Sequence, residues 1–143
     1  MRIAIGLVLF VAAVVYAQQP VSVWNGVYVQ DQASRGKAAF DERCAVCHGS
    51  DLAGRNGPPL LGEVFKENWN GLMVDDLFEY IKTSMPRGQV FRFSREQTAD
   101  VVAFLLTSNG FPAGQKELPN DAALLKTIRF EAVKATLESS KAK

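Results

Sequence analysis

Hydrophobic positions recur at helical spacing in three stretches of the chain, separated by segments too rich in turn-forming residues to continue them. Asp31 is placed to cap a helix reaching about Arg43, in which Gly36 and Phe40 lie four apart and share a face. From Val74 to about Ser84, Leu77, Phe78 and Ile81 make an apolar stripe with Asp75, Asp76 and Glu79 on the other side, and the acidic first turn suits the helix dipole. Ser94-Arg95-Glu96-Gln97 has the form of a capping box, and Val101, Phe104 and Leu105 follow on one stripe until Asn109-Gly110 closes the helix. Gly49 to Gly62, rich in Gly, Pro and Asn, predicts a loop. The expected architecture is all-α: about three helices and no strands.

The two ends follow other patterns. Met1-Arg2 carries one positive charge, Ile3 to Val15 is uncharged, and Val15-Tyr16-Ala17 ends on a small residue. That is the form of a secretory leader cleaved after Ala17. A spanning helix needs ~20 apolar residues, and the run before Gln18-Gln19-Pro20 is shorter, so no stable membrane insertion is expected after cleavage. The mature chain is then expected in a periplasm. Residues 18–30 contain Trp24, Asn25-Gly26 and Tyr28 without a sustained period, and read as an extended arm on the domain surface. Beyond Leu118-Pro119-Asn120, Asp121 to about Leu137 could form a further amphipathic helix through Leu124, Leu125, Ile128 and Val133. The expected organisation is a leader at 1–17, an arm at 18–30, a compact domain at 31–112 and a tail at 113–143.

Composition narrows the chemistry. A chain of 143 residues with 16 basic and 15 acidic side chains is one small domain plus appendages, and its balance excludes a basic nucleic-acid-binding domain or a disordered acidic chain. Only about 80 residues separate Asp31 from Gly110, and a core of that size rarely contributes more than ~3–5 kcal/mol. Something besides side chains should fill it.

Both cysteines and the only histidine fall within Cys44-Ala45-Val46-Cys47-His48. C-x-x-C-H is the attachment signature of c-type haem: two thiols on one helical turn reach the two porphyrin vinyl groups, and the next residue turns an imidazole to the iron. Other readings compete. A thioredoxin-type dithiol would want a βαβ context, a structural zinc would need a fourth ligand, and a plain Cys44–Cys47 disulfide would leave the core unfilled.

The motif and its surroundings resemble the class I c-type cytochromes, and in detail the single-haem domains found free or fused to quinohaemoprotein dehydrogenases. The similarity runs from about Trp24 to Leu118 through Gln32-Ala33-Ser34-Arg35-Gly36-Lys37, Gly57-Pro58-Pro59-Leu60, Trp69, Met85-Pro86 and Asn109-Gly110-Phe111-Pro112. It implies one covalent haem c, with Gly36 and Phe40 crossing Val101 and Phe104. It also implies that the backbone carbonyl of Pro58 accepts a hydrogen bond from His48.

With no second histidine, the other axial ligand is sought between Met73 and Met85 of the mature chain, or the position is open. Met85 precedes Pro86 and Gly88 in a loop able to fold over a haem face, whereas Met73 stands at a helix start and suits gap-filling. The resemblance also puts the ligand at Met-Pro. The metal ligands are then His48 and Met85. Leu60, Phe65, Leu77, Phe78, Ile81, Phe91 and Phe93 could line the haem or simply pack helices. Trp69 could hydrogen-bond a propionate or belong to the core, and Arg55 or Arg92 could pair with a propionate. From Lys82 to Arg95 the charges are Lys82, Arg87, Arg92 and Arg95, a candidate docking patch or a solvated loop.

The expected function is an exported monohaem cytochrome, not an enzyme, that carries single electrons. Its redox partners would be a dehydrogenase, an oxidase or another cytochrome. The alternatives are a fixed haem subunit of a quinone-cofactor dehydrogenase, or a haem sensor or peroxidase with a labile Met85.

Overall fold

A computed structural model of the chain describes residues 19–135. The leader expected at 1–17 lies outside them, as does Leu137. The elements in chain order are β1 (Val21–Ser22), a 3₁₀ turn at Val23–Asn25, α1 (Gln30–Arg43), α2 (Ala45–His48), α3 (Gly62–Trp69), α4 (Val74–Ser84), α5 (Arg95–Ser108), α6 (Ala122–Leu125) and β2 (Ile128–Arg129). The architecture is all-α apart from one two-residue parallel pair. Among the described residues no helix is long and apolar enough to cross a membrane.

The central contact is α1 against α5. A Cβ on Gly36 would lie 1.8 Å from the carbonyl oxygen of Asp100, so the two backbones touch where no side chain fits. One turn along, the rings of Phe40 and Phe104 meet at 5.2 Å. Outside the crossing, Arg35 holds both carboxylate oxygens of Asp100 at 3.0 Å and Glu117 at 2.7 Å. Ser94 caps α5 reciprocally: its Oγ accepts from the Gln97 N–H at 3.1 Å and its N–H donates to Gln97 Oε1 at 2.9 Å. The single stripe expected for α5 is incomplete, because every residue from Val101 to Leu106 is buried. α5 is wrapped on all sides, which makes it the axis of the domain.

Residues 19–30 do not lie on the surface as a loose arm. Val23 and Tyr28 are fully buried, and the Tyr28 hydroxyl donates to the Phe111 carbonyl at 2.7 Å. Trp24 stacks on Phe111 with ring centroids 4.6 Å apart, and its indole N–H donates to the Glu131 carbonyl at 2.9 Å. The partners of this segment lie some 80 to 107 residues away in sequence, beyond the reach of any local pattern.

The tail also differs from a single amphipathic helix. Asp121 Oδ1 accepts from the N–H groups of Ala123 and Leu124, but α6 ends at Leu125. Ile128 and Arg129 then extend beside Val21 and Ser22. β-branched Thr127 and Ile128 favour that conformation, and it carries Phe130 inward against Phe111 at 5.2 Å and Phe65 at 6.2 Å. Upstream, buried Gln32 donates to the Leu118 carbonyl at 3.0 Å and accepts from its N–H at 2.7 Å.

Asp75, expected on the solvent side of α4, is only 8% exposed, because the segment after α6 lies against it and Lys126 stands 3.8 Å away. Burial pushes its carboxyl above the ordinary range, against the smaller opposing pull of Lys126.

The Gly36 contact has a measurable consequence. Gly36→Ala should lower unfolding stability by about 3 kcal/mol, the upper end of overpacking costs, because the obstructing atoms are backbone. Urea denaturation of parent and variant checks this; a change within ~0.5 kcal/mol would show that the helices separate freely.

Candidate functional site

The end of α1 and the short α2 form one continuous turn that presents the motif. The Cys44 N–H bonds the Phe40 carbonyl at 2.7 Å, and the N–H groups of Cys47 and His48 both bond the Cys44 carbonyl, at 3.1 and 3.0 Å. The loop expected at Gly49–Gly62 then folds back over this turn. Arg55 and Gly57 donate their N–H groups to the Cys47 carbonyl at 3.1 and 2.9 Å, and Gly54 donates to the His48 carbonyl at 2.8 Å. Loop and motif are thus one hydrogen-bonded unit.

This unit fixes the imidazole. His48 Nδ1 lies 2.8 Å from the Pro58 carbonyl oxygen, and since a carbonyl only accepts, Nδ1 carries the proton. Nε2 is left with its lone pair, the form in which histidine binds a metal. Gly57 lies flat against the ring: a Cβ there would come within 2.9 Å of Cε1 and 3.0 Å of Nδ1.

The loop's far end is tied by a residue that sequence reading treats only as a helix terminator. Asn109 donates through Nδ2 to the Leu60 carbonyl at 2.9 Å and accepts at Oδ1 from the Gly62 N–H at 3.0 Å, while Nδ2 also meets the Leu105 carbonyl at 2.9 Å. An Asn-Gly pair after an apolar helix is an ordinary stop signal, and nothing local reveals this second task.

The opposite wall begins with Met85, the residue that ends α4. Its N–H bonds the Ile81 carbonyl at 3.1 Å and its backbone is extended, so the chain leaves the helix there. Between the two walls is a cavity of about 560 Å³, within the ~300–1,000 Å³ typical of cofactor sites. Cys44, Cys47, His48, Pro58, Leu60, Trp69 and Met85 all border it, with Phe65, Leu77 and Ile81. Trp69 stands at the end of α3 with its ring 5.8 Å from Tyr80.

Some candidates lie elsewhere. Phe78 packs beneath the Arg95 guanidinium at 4.5 Å, and Phe91 and Phe93 meet edge to face at 5.3 Å outside the cavity wall. Met73 is also away from it: its N–H donates to Asp76 Oδ2 at 2.9 Å, and its backbone bridges Arg129. Arg55 does not reach the cavity, and Arg92 is turned to backbone carbonyls; the cations on the wall are Arg43 and Arg87. The basic run from Lys82 to Arg95 is not one patch, because Arg95 pairs with Glu79 at 2.7 Å and Arg87 donates to the Tyr80 hydroxyl.

The site's chemistry tests the competing readings of the motif. Burial, with Cys47 adding to it, pushes the Cys44 thiol up to about 11. A redox-active dithiol needs a thiol that ionises easily, so Cys44 is the wrong kind. Among the described residues no three His, Cys, Asp or Glu side chains gather as metal ligands, as a structural zinc would require. The residues do fit haem c: two thiols and a tautomer-fixed imidazole on one turn, facing a largely apolar cavity.

Residues 31–105, just over half of the chain, match the family described as cytochrome c oxidase, cbb3-type, subunit III. The chain belongs to this family. The matched residues run from α1 into α5 and include the whole cavity wall, and they carry the motif for one covalently bound haem c. This is a haem domain of the electron-transfer kind. The chain is also similar to thiosulfate dehydrogenase of Stutzerimonas stutzeri strain A1501, 34% identical over 80 residues. That similarity covers 50% of this chain but 26% of the dehydrogenase, so the chain spans about a quarter of its length.

The imidazole geometry is open to a direct test. Gly57→Ala should press the His48 ring off the Pro58 carbonyl and speed solvent exchange of the Nδ1–H about tenfold, the loss of roughly one net hydrogen bond. Proton NMR of the imidazole N–H reads this, and an unchanged exchange rate would mean that the ring is held some other way.

Proposed function

We propose that this chain is an exported monohaem cytochrome that passes single electrons between redox proteins, with His48 and Met85 as the axial ligands of its haem. The observation that carries the reading is that His48, its Nδ1–H committed to Pro58, and Met85, among the described residues the only methionine on the cavity wall, border one cavity with both motif cysteines.

When bound, the haem supplies a one-electron couple whose potential a thioether ligand raises relative to two imidazoles. The protein's residues do the rest. Cys44 and Cys47 would hold the porphyrin covalently through their thiols. Pro58 fixes which imidazole nitrogen is free, and Gly57 leaves the ring room to keep that orientation. Met85 would supply the second protein ligand to the iron, which would leave a substrate no open place on it. Leu60, Phe65, Leu77 and Ile81 exclude water, which keeps reorganisation small when charge moves. Trp69 and the wall cations Arg43 and Arg87 are suited to the propionate end, where negative charge needs donors. A class I cytochrome is the finer family that this arrangement supports. The leader pattern at residues 1–17 supports delivery to the periplasm.

The similarity to a stretch of thiosulfate dehydrogenase favours a second reading, in which the chain serves as the haem subunit of a dehydrogenase complex. A quinone-cofactor dehydrogenase is one such partner and a terminal oxidase the natural acceptor. Co-elution with a dehydrogenase on gel filtration separates a fixed subunit from a free carrier.

The ligand assignment is tested on protein made with haem-attachment machinery. Met85→Ala should keep the mass of one covalent porphyrin but lower the reduction potential and change the visible spectrum, while Met73→Leu should leave both as in the parent. A spectrum indifferent to Met85→Ala would remove Met85 from the iron.

A further inference from the structure

The segment that follows Met85 lacks the usual means of holding its shape. Among the described residues, the turn at Arg87–Gly88 is the one piece of regular backbone structure between residues 86 and 93, and no well-aligned backbone–backbone hydrogen bond holds the segment. The segment joins the end of α4 to the cap of α5, and most of it is exposed. Apart from one bond from Arg87 to the Tyr80 hydroxyl at 2.9 Å, its side-chain bonds all come from Arg92. Arg92 Nη1 donates to the carbonyls of Gln89 at 2.6 Å, Phe91 at 2.7 Å and Pro86 at 3.3 Å, and its Nε donates to the Thr83 carbonyl at 3.2 Å.

These acceptors are placed meaningfully. Thr83 is in the last turn of α4, where carbonyls lack helical partners and a positive charge is favoured by the dipole. Pro86 is the residue directly after Met85. One guanidinium therefore ties the chain on both sides of Met85 to the far end of the loop. The planar fork of arginine can do this, whereas a lysine offers a single point charge. A second cation braces the outside of the same loop: Arg43 from the motif side of the cavity sits 4.3 Å over the Phe91 ring.

We propose that Arg92 is the positioning residue that keeps the Met85 loop shut over the cavity and so sets how firmly the thioether holds its axial place. The proposal rests on Met85 being that ligand. Arg92 acts through the backbone on either side of Met85 and touches no cofactor. It decides between a closed site that only exchanges electrons and one that opens to small ligands.

The test uses the haem-loaded protein in five forms: parent, Arg92→Gln, Arg92→Lys, Met85→Ala and the double variant Met85→Ala/Arg92→Gln. Stopped-flow binding of carbon monoxide to the reduced protein reports how often the axial place is vacated, and the sulfur-to-iron absorption band of the oxidised protein reports its occupancy. Arg92→Gln should bind carbon monoxide at least about tenfold faster than parent, equivalent to about 1.4 kcal/mol, and lose the sulfur band at a lower pH. Arg92→Lys should fall between the two. Once Met85 is gone, Arg92→Gln should add nothing, the non-additivity expected when one residue acts only through another. Parent-like binding by Arg92→Gln, or an equal acceleration in the Met85→Ala background, would overturn the positioning role while leaving the ligand assignment standing. A Met85→Ala protein that keeps the sulfur band would overturn both.

Discussion

One hydrogen bond, from His48 Nδ1 to the Pro58 carbonyl at 2.8 Å, decides what this site can do. It selects the tautomer, leaves Nε2 bare, and ties the imidazole to backbone instead of to a mobile side chain. The bond exists because the loop after the motif folds back on the motif's own carbonyls, and because Gly57 presents no side chain to the ring. Asn109 carries the far end of that loop to α5, so the orientation of an imidazole is anchored in the most deeply buried helix of the domain.

The rest of the fold holds the two cavity walls in register. α1 brings the cysteines and α4 brings Met85, and α5 packs against both helices. The close approach at Gly36 leaves the two backbones in direct contact, which fixes where the motif turn can sit. The terminal segments add the core that a short helical domain lacks: Val23, Tyr28, Leu118, Leu125 and Phe130 are all buried. Around Phe111 they bring together Trp24 and Phe130, and Phe130 in turn backs the cavity-wall residue Phe65.

Much of this is legible in the residue order. α4 runs over Val74–Ser84 because its apolar residues keep helical period throughout, and α5 begins at a capping box whose two bonds both form. The pentapeptide is legible for a chemical reason, since three scarce reactive residues at fixed spacing leave few alternatives. What escapes is non-local. α3 is only eight residues long and opens inside a glycine-rich stretch, so its period never accumulates. The partners of the first residues lie at the other end of the chain, and the extension of Ile128 and Arg129 is completed by Val21 and Ser22 beside them. Arg92 reads as surface charge until its carbonyl partners are seen. Asp75 reads as solvent-facing until the segment after α6 is laid over it.

The central claim is that a methionine thioether and a histidine imidazole face each other across one covalently held haem. Proton NMR of the reduced, diamagnetic holoprotein with methyl-labelled methionine tests it most directly, because a methyl group held over a porphyrin face is displaced far upfield by the ring current. The account predicts one such methyl, assigned to Met85, with Met73 at an ordinary position. Both methyls at ordinary positions, or the shifted one belonging to Met73, would contradict it.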